Sequence, residues 1–204
     1  MALDSYSGLS TAIGTWDERS YSTAQTDEFI ALAEAKANRR LQMDFRRKSA
    51  GTLVTDSDGL ATLSSGFVGM VSIVRDVLGS IPLKQVSWDA LISRDPYETA
   101  YDSNVYAIYG TTLRVSPVIE DNWNIIYSAV LAGLSSTNTT NWLLALAPDY
   151  YLLGCRAAAS LFEGDLNGAA ALSSSADAIL SDLVGQGNVA EFGNAELTFE
   201  MAMP

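Results

Sequence analysis

Asn141-Trp-Leu-Leu-Ala-Leu-Ala-Pro-Asp-Tyr-Tyr-Leu-Leu-Gly-Cys-Arg-Ala-Ala-Ala-Ser-Leu-Phe162 is the most apolar stretch of the chain. Proline is tolerated as the first residue of a helix but not in its interior, so Pro148 divides the stretch into a helical turn and a longer helix. Gly164 follows as a C-terminal cap. Large side chains recur at three- and four-residue steps, which places them on one face: Tyr151, Leu152, Cys155, Ala159 and Phe162. This pattern predicts the buried central helix of a helical bundle.

Three other segments have the same helical spacing of apolar residues. The predicted helices span about residues 5–16, 27–43 and 166–184, and the last of them is closed by Gly185. Asp27 and Glu28 begin the second helix, and basic residues end it, as the helix dipole prefers. The residues with this spacing are Leu9, Ala12, Ile13 and Trp16 in the first helix, Ile30, Ala33, Ala37 and Leu41 on the buried face of the second, and Leu172, Ala176, Ile179 and Leu183 on one face of the third.

The middle of the chain, about residues 45–131, has strand patterns instead. Two short runs, Gly51–Thr55 and Gly59–Leu63, flank Asp56-Ser-Asp-Gly, which is typical of a tight turn and predicts a β-hairpin. Further strands are predicted at Phe67–Val77, Val105–Tyr109, Leu113–Pro117 and Trp123–Val130, with a helical turn near Trp88. The sequence therefore predicts an α+β fold, mainly helical, in which a small antiparallel sheet is inserted between helices.

Length and hydropathy predict one domain, with two small domains as the alternative. The 204 residues are 48% hydrophobic, which suits a single packed domain over residues 1–185 followed by an extended C-terminal arm over 186–204. The apolar runs are shorter than the roughly 18 residues that a membrane span needs. No signal segment opens the sequence. We therefore expect a protein that is made and kept in a cytoplasm, with no membrane partner.

The residue types limit the chemistry. The chain has no histidine and one cysteine, which removes the usual general base, the commonest metal ligand and the Cys-His and Ser-His-Asp arrangements. Cys155 lies on the apolar helix face, so we interpret it as a core residue and not as a nucleophile. Asp56-Ser-Asp-Gly resembles the start of a calcium loop, but the twelfth position holds Phe67 where a glutamate is required. We expect no enzyme, no catalytic residue, no metal site and no cofactor.

The net charge of −12 is unevenly distributed along the chain. From residue 115 onward one base, Arg156, stands against ten acids. An acidic body argues against general nucleic-acid binding, which needs a broad basic surface. Six of the twelve bases lie in one basic window: Lys36, Arg39, Arg40, Arg46, Arg47 and Lys48. Two interpretations of the window stay open, a solvated helix end that matches the dipole and a surface that contacts DNA phosphates or an acidic partner.

The last residues alternate in polarity. Between Ala195 and Met203 one side carries Leu197, Phe199, Met201 and Met203, and this period of two is typical of a strand. Burying three such side chains contributes about 4 to 9 kcal/mol, whereas ordering nine backbone units costs about 9 to 18 kcal/mol. The arm therefore needs a sheet edge that supplies hydrogen bonds. We expect it to become ordered on a partner or a neighbouring copy, with the chain's own sheet as the alternative.

Several short motifs, in a common order, resemble the head-to-tail adaptor (connector) proteins of tailed bacteriophages. They are spread over about residues 3–183. They are Tyr6-Ser-Gly-Leu-Ser-Thr-Ala-Ile-Gly-Thr-Trp, Asp27-Glu-Phe-Ile-Ala-Leu-Ala-Glu-Ala-Lys-Ala-Asn-Arg-Arg-Leu, Leu113-Arg-Val-Ser-Pro, Thr140-Asn-Trp-Leu-Leu and Ala147-Pro-Asp-Tyr-Tyr-Leu.

The resemblance implies a structural virion protein of the phage neck, assembled in the host cytoplasm. It implies a homo-oligomeric ring, commonly a dodecamer, that binds the portal and lines the channel through which DNA leaves the capsid without sequence recognition. A downstream tail or nozzle protein is a further implied partner, and the arm is expected on the portal or a neighbouring adaptor. The alternative is another neck component, such as a tail-completion or stopper ring.

Overall fold

The computed structural model describes residues 3–41, 48–77, 80–94, 104–116 and 118–192. These residues form six α-helices and seven β-strands, so the fold class is α+β, as predicted. The chain divides into two compact units. The helical unit combines Met1–Arg46 with Leu131–Pro204, and the β unit is Arg47–Val130.

The helices and strands alternate in blocks along the chain. They are α1 (Tyr6–Trp16), α2 (Thr23–Arg40), β1 (Lys48–Val54), β2 (Leu60–Thr62), β3 (Phe67–Arg75), β4 (Lys84–Gln85), α3 (Trp88–Arg94), β5 (Val105–Tyr109), β6 (Thr112–Ser116), β7 (Asn122–Ala129), α4 (Trp142–Leu146), α5 (Pro148–Glu163) and α6 (Leu166–Phe192).

The predicted central helix is confirmed as α5, which contacts α1, α2, α4 and α6. Pro148 is its first residue, and Gly164 ends it with a φ of 85° in the left-handed region, where glycine is favoured. Tyr151, Leu152 and Cys155 are buried. The prediction for Phe162 is wrong, because its side chain is 61% exposed. Phe162 lies in the last turn of the helix, where its ring touches Phe29 at a centroid distance of 5.9 Å and otherwise faces outward.

Helix α2 begins at Thr23, four residues before the predicted start. The cause is a capping box that the sequence analysis missed: the Ser22 hydroxyl accepts from the Gln25 N–H, and the Gln25 side chain accepts from the Ser22 N–H. The dipole argument for Asp27 and Glu28 is therefore wrong, since the first turn of α2 contains no acid. The buried face was predicted correctly, from Ile30 to Leu41.

Helix α6 continues through Phe192, so the predicted end at Gly185 is wrong. A glycine inside a helix costs only about 1 kcal/mol relative to alanine, and the packed turns before it outweigh that cost. The buried side chains of α6 include Leu180 and Leu183, whereas Ile179 is only partly buried. Residues 186–192 of the predicted extended arm are helical, and the rest of the arm, with Leu197, Phe199, Met201 and Met203, lies outside the described residues.

The β unit contains two sheets, where the sequence predicted one small antiparallel sheet. Their strand orders are β1-β7-β3 and β2-β6-β5-β4, and the β4–β5 pair is parallel. The predicted hairpin of β1 with β2 is wrong, because β1 pairs with β7 and β2 with β6. The turn between them forms as predicted, with a carboxylate oxygen of Asp56 accepting from the N–H groups of Asp58 and Leu60. That turn passes the chain from one sheet to the other.

One hydrophobic core draws side chains from both sheets, among them Ile73, Trp123 and Ile125 from one and Leu113 and Val115 from the other. A smaller cluster joins Leu91 of α3 to Val105 and Ala107 of β5. Strand β5 is therefore buried on both of its faces, which explains its continuous apolar sequence.

Candidate interaction surfaces

The basic window begins with a lysine that already has a partner inside the chain. The Lys36 ammonium nitrogen lies 2.9 Å from a carboxylate oxygen of Asp177 and donates to the Ser173 hydroxyl at 2.7 Å. These contacts join α2 to α6. Lys36 therefore acts as a link within the helical unit, and its charge is offset there.

The other members of the window are divided between the two units. Arg39 and Arg40 are exposed in the last turn of α2, where a positive charge suits the helix dipole. Lys48 begins β1 in the β unit, and Arg46 and Arg47 lie outside the described residues. Within the helical unit, the structure places Arg39 and Arg40 together as an exposed basic pair.

Arg156, the one base after residue 114, is also engaged within the chain. Its guanidinium donates to a carboxylate oxygen of Asp17 at 2.6 Å and lies over the Trp16 ring at 5.5 Å from the centroid. Nearby, Arg19 pairs with Glu163 at 3.0 Å. These contacts fix the α1–α2 connection to α5 and do not offer a basic surface.

An apolar groove of about 360 Å³ lies between α2, α5 and α6. Its lining includes small residues such as Ala33, Gly154 and Ala157. A Cβ at Gly154 would lie 3.2 Å from the Cβ of Ala33, so glycine allows the close approach of α5 to α2. Exposed leucines also line the groove: Leu32, Leu161 and Leu166. This groove was not predicted from the sequence, although the small residues of Ala157-Ala-Ala and Gly168-Ala-Ala-Ala indicate close helix packing.

A buried polar network fixes the segment that leads into α4. One carboxylate oxygen of Glu34 accepts from the Leu134 N–H at 2.8 Å and from the Tyr151 hydroxyl at 3.0 Å. The Asn141 amide donates to the Tyr151 hydroxyl at 2.7 Å and to the Ala132 carbonyl at 2.8 Å. Burial raises the pKa of the Glu34 carboxyl, and the two hydrogen bonds that it accepts lower it in part.

This network accounts for two of the motifs noted in the sequence. Asn141 belongs to Thr140-Asn-Trp-Leu-Leu and also accepts from the Leu144 N–H at 2.8 Å as the cap of α4. Tyr151 belongs to Ala147-Pro-Asp-Tyr-Tyr-Leu. The signal that could have revealed the network is Glu34, a charged residue on the otherwise apolar face of α2.

The described part of the chain contains no cluster of three or more His, Cys, Asp or Glu side chains that could hold a metal ion. Cys155 is fully buried, and burial raises the pKa of its thiol, as expected of a core cysteine. Among the described helices, none is long and apolar enough to cross a membrane.

Comparison with known proteins points to one family. A search of curated proteins found no match. The model of the SU10 adaptor protein family matches residues 4–195, which include both units. The chain therefore belongs to the SU10 adaptor protein family, as the resemblance predicted, and is a structural protein of the phage neck.

Proposed function

We propose that copies of this chain form a ring that binds beneath the phage portal and surrounds the channel through which DNA leaves the capsid. The observation that carries this proposal is the family match over residues 4–195. We infer that the helical unit and the β unit act together as one adaptor domain. Its partners would be further copies of itself, the portal and a tail or nozzle protein.

The apolar groove of the helical unit supports association between proteins. Leu32, Leu161 and Leu166 are 57%, 56% and 67% exposed. Exposed apolar patches are typical of surfaces that a partner covers. The small side chains of the groove allow another backbone to approach closely, as in a tightly packed subunit contact.

The charge distribution supports passage of DNA without binding. With a net charge of −12, the chain repels phosphates over most of its surface. A confined basic pair, Arg39 and Arg40, is suited to one local contact with DNA or with an acidic surface of the portal. We confine the proposed contact surface to this pair, because the charge of Lys36 is offset by Asp177.

Electron microscopy of the protein mixed with its portal tests the proposal. We expect a ring that contacts the portal directly. A ring that binds the portal only after another neck protein has been added would assign the chain to the tail-completion or stopper components. Failure to bind any neck assembly would contradict the structural role itself.

The basic pair has a test of its own. Arg39→Glu combined with Arg40→Glu should leave the fold intact, because both side chains are exposed, and should reduce portal binding or DNA retention. Lys84→Glu is the matched control, an exposed lysine of the β unit. Equal assembly of the double variant, the control and the wild type would identify the pair as a solvated helix end.

A further inference from the structure

The edge strands of the β unit differ in how they are protected against pairing with another chain. Strand β2 has three residues and β4 has two, and short edge strands offer little to pair with. Strand β3 has two register shifts, and its Ile73 carbonyl accepts from the Leu83 N–H at 3.0 Å. Bulges and a covering segment are ordinary means of blocking an edge.

Strand β1 has none of these protections. Its seven residues pair with β7 in an unbroken register from Lys48 to Val54. Thr55, directly after β1, donates its N–H to the Asp121 carbonyl at 3.0 Å. Along an antiparallel pair of strands, residues that hydrogen-bond to the partner strand alternate with residues whose N–H and C=O groups point away from it. The N–H and C=O groups of Ala50, Thr52 and Val54 therefore point away from β7. No described residue pairs with these outward groups.

A partly apolar pocket of about 230 Å³ lies beside this edge. Its lining includes Leu53, Leu63, Phe67 and Ile125. Gly51 leaves room at the strand, since it has no side chain on this face. An apolar cavity of about 150 Å³ is large enough to hold benzene, so the pocket accepts one side chain of phenylalanine size.

The C-terminal residues have the pattern that this edge requires. Along β1, Ala50, Thr52 and Val54 are exposed on one face, whereas Leu53 is buried on the other beside Gly51. A strand added to β1 would continue both faces. The alternation between Ala195 and Met203 supplies Leu197, Phe199 and Met201 for the pocket face and polar side chains for the exposed face.

We propose that the edge of β1 is the docking site for residues 195–203 of a neighbouring copy, which adds a fourth strand to the β1-β7-β3 sheet. One apolar side chain of that segment fills the pocket at Gly51. The inference rests on the proposed ring, because it assigns the contact to two copies. One donor segment and one acceptor edge per chain make a head-to-tail contact, which is the kind that closes into rings.

Gly51 provides a variant that blocks the pocket. A Cβ at this position would lie 3.7 Å from a ring carbon of Tyr127 and 3.8 Å from a side-chain carbon of Ile125, which are ordinary contacts. Gly51→Val therefore places a side chain at the pocket entrance, starting from a Cβ in ordinary contact. Gly69→Val is the matched control, a glycine of the opposite edge strand β3 where an added Cβ meets nothing within 4 Å.

Disulfide trapping between two different full-length chains tests the contact. One chain carries Thr52→Cys on the exposed face of β1, and the other carries Glu196→Cys, Thr198→Cys or Glu200→Cys. The chains are mixed in equal amounts with the portal and oxidised, and the products are separated without reductant. Because the native Cys155 is fully buried, a crosslinked dimer that forms only when both chains are present reports the introduced pair.

We expect a crosslinked dimer with at least one of the three arm positions. Adding Gly51→Val to the Thr52→Cys chain should lower the yield of crosslinked dimer at least tenfold. Adding Gly69→Val instead should leave that yield unchanged. Rings on the portal without any crosslink would overturn the docking proposal and leave the adaptor function intact. Equal yields with Gly51→Val and Gly69→Val would also overturn it. Absence of portal-bound rings would contradict the proposed function instead.

Discussion

The helical unit and the β unit differ in how far their structure follows from neighbouring residues. In the helical unit, Pro148 and Gly164 bound α5, and the Ser22–Gln25 capping box starts α2. In the β unit, the strands lie near their predicted positions, but their partners come from distant parts of the chain, as β1 with β7. Helices are determined by contacts within a few residues, whereas sheets are determined by pairings that a local pattern does not specify.

In both units, buried polar side chains hydrogen-bond to one another. In the helical unit, Tyr151 lies between Glu34 and Asn141. In the β unit, the Thr55 hydroxyl donates to the Ile119 carbonyl at 2.7 Å and accepts from the Trp123 indole N–H at 3.0 Å. In each unit, loss of this polar centre should be costly.

The largest expected effect is loss of packing in the helical unit. Leu152 is 6% exposed on the buried face of α5, so Leu152→Ala should lower the free energy of unfolding by about 2 to 5 kcal/mol. Leu161→Ala is the control, since Leu161 lies on the same helix and is exposed. Chemical denaturation followed by circular dichroism measures both. A change below about 0.5 kcal/mol at Leu152 would contradict the central role of α5.

The next effect concerns the polar centre of the β unit. Thr55→Val keeps the shape of the side chain but leaves the buried Trp123 indole N–H without its acceptor. An unsatisfied buried donor costs about 1 to 3 kcal/mol. Thr52→Val, at an exposed position of the adjacent strand, should have little effect. Denaturation followed by tryptophan fluorescence compares the two variants, and equal stabilities would show that the hydroxyl network contributes nothing.

A third comparison uses one glycine from each unit. Gly59 and Gly164 both have positive φ, at 68° and 85°, and a non-glycine residue there costs about 1 to 2 kcal/mol. A Cβ at Gly59 would also lie 3.1 Å from the Val115 carbonyl oxygen, whereas at Gly164 it meets nothing within 4 Å. Thermal unfolding should therefore show Gly59→Ala to be less stable than Gly164→Ala. The reverse order would contradict the crowding at the β1–β2 turn.

Most element positions could be predicted from the sequence, and the exceptions have physical causes. The end of α6 was missed because Gly185 is a weak stop once the preceding turn is packed. Phe162 has the spacing of a core residue, but the helix ends before a neighbour covers it. The sheet partners could not be predicted, because the Asp56 turn is compatible both with a hairpin and with a change of sheet.

A candidate surface could be predicted from the sequence only where charged residues cluster along the chain. The basic window was found by counting, but its division between the units and the pairing of Lys36 with Asp177 depend on tertiary contacts. The apolar groove is built from small residues of three helices, and no single helix reveals it. The spacing of apolar residues along one helix predicts which face of that helix is buried. It does not predict where a groove remains between that helix and its neighbours.

The smallest effect concerns the charge of Glu34 in the helical unit. Burial raises the pKa of its carboxyl above the ordinary value of 4.5. The folded chain therefore holds this proton more tightly than the unfolded chain. As the pH rises from 4.5 through the folded pKa, the free energy of unfolding should fall, because ionisation in the folded state is penalised. Below 4.5 the side chain is neutral in both states and this loss disappears.

Glu34→Gln separates the charge of this side chain from its hydrogen bonds. The amide oxygen can still accept from the Leu134 N–H and the Tyr151 hydroxyl, and the buried side chain no longer ionises. We expect the two proteins to have similar stability at acidic pH, with the variant becoming the more stable of the two as the pH rises. Denaturation at a series of pH values measures this difference, and Glu28→Gln, at an exposed position of the same helix, is the control. If Glu34→Gln follows the wild-type curve at every pH, the carboxyl is already neutral or well solvated in the folded chain, and the polar centre of the helical unit does not make stability depend on pH.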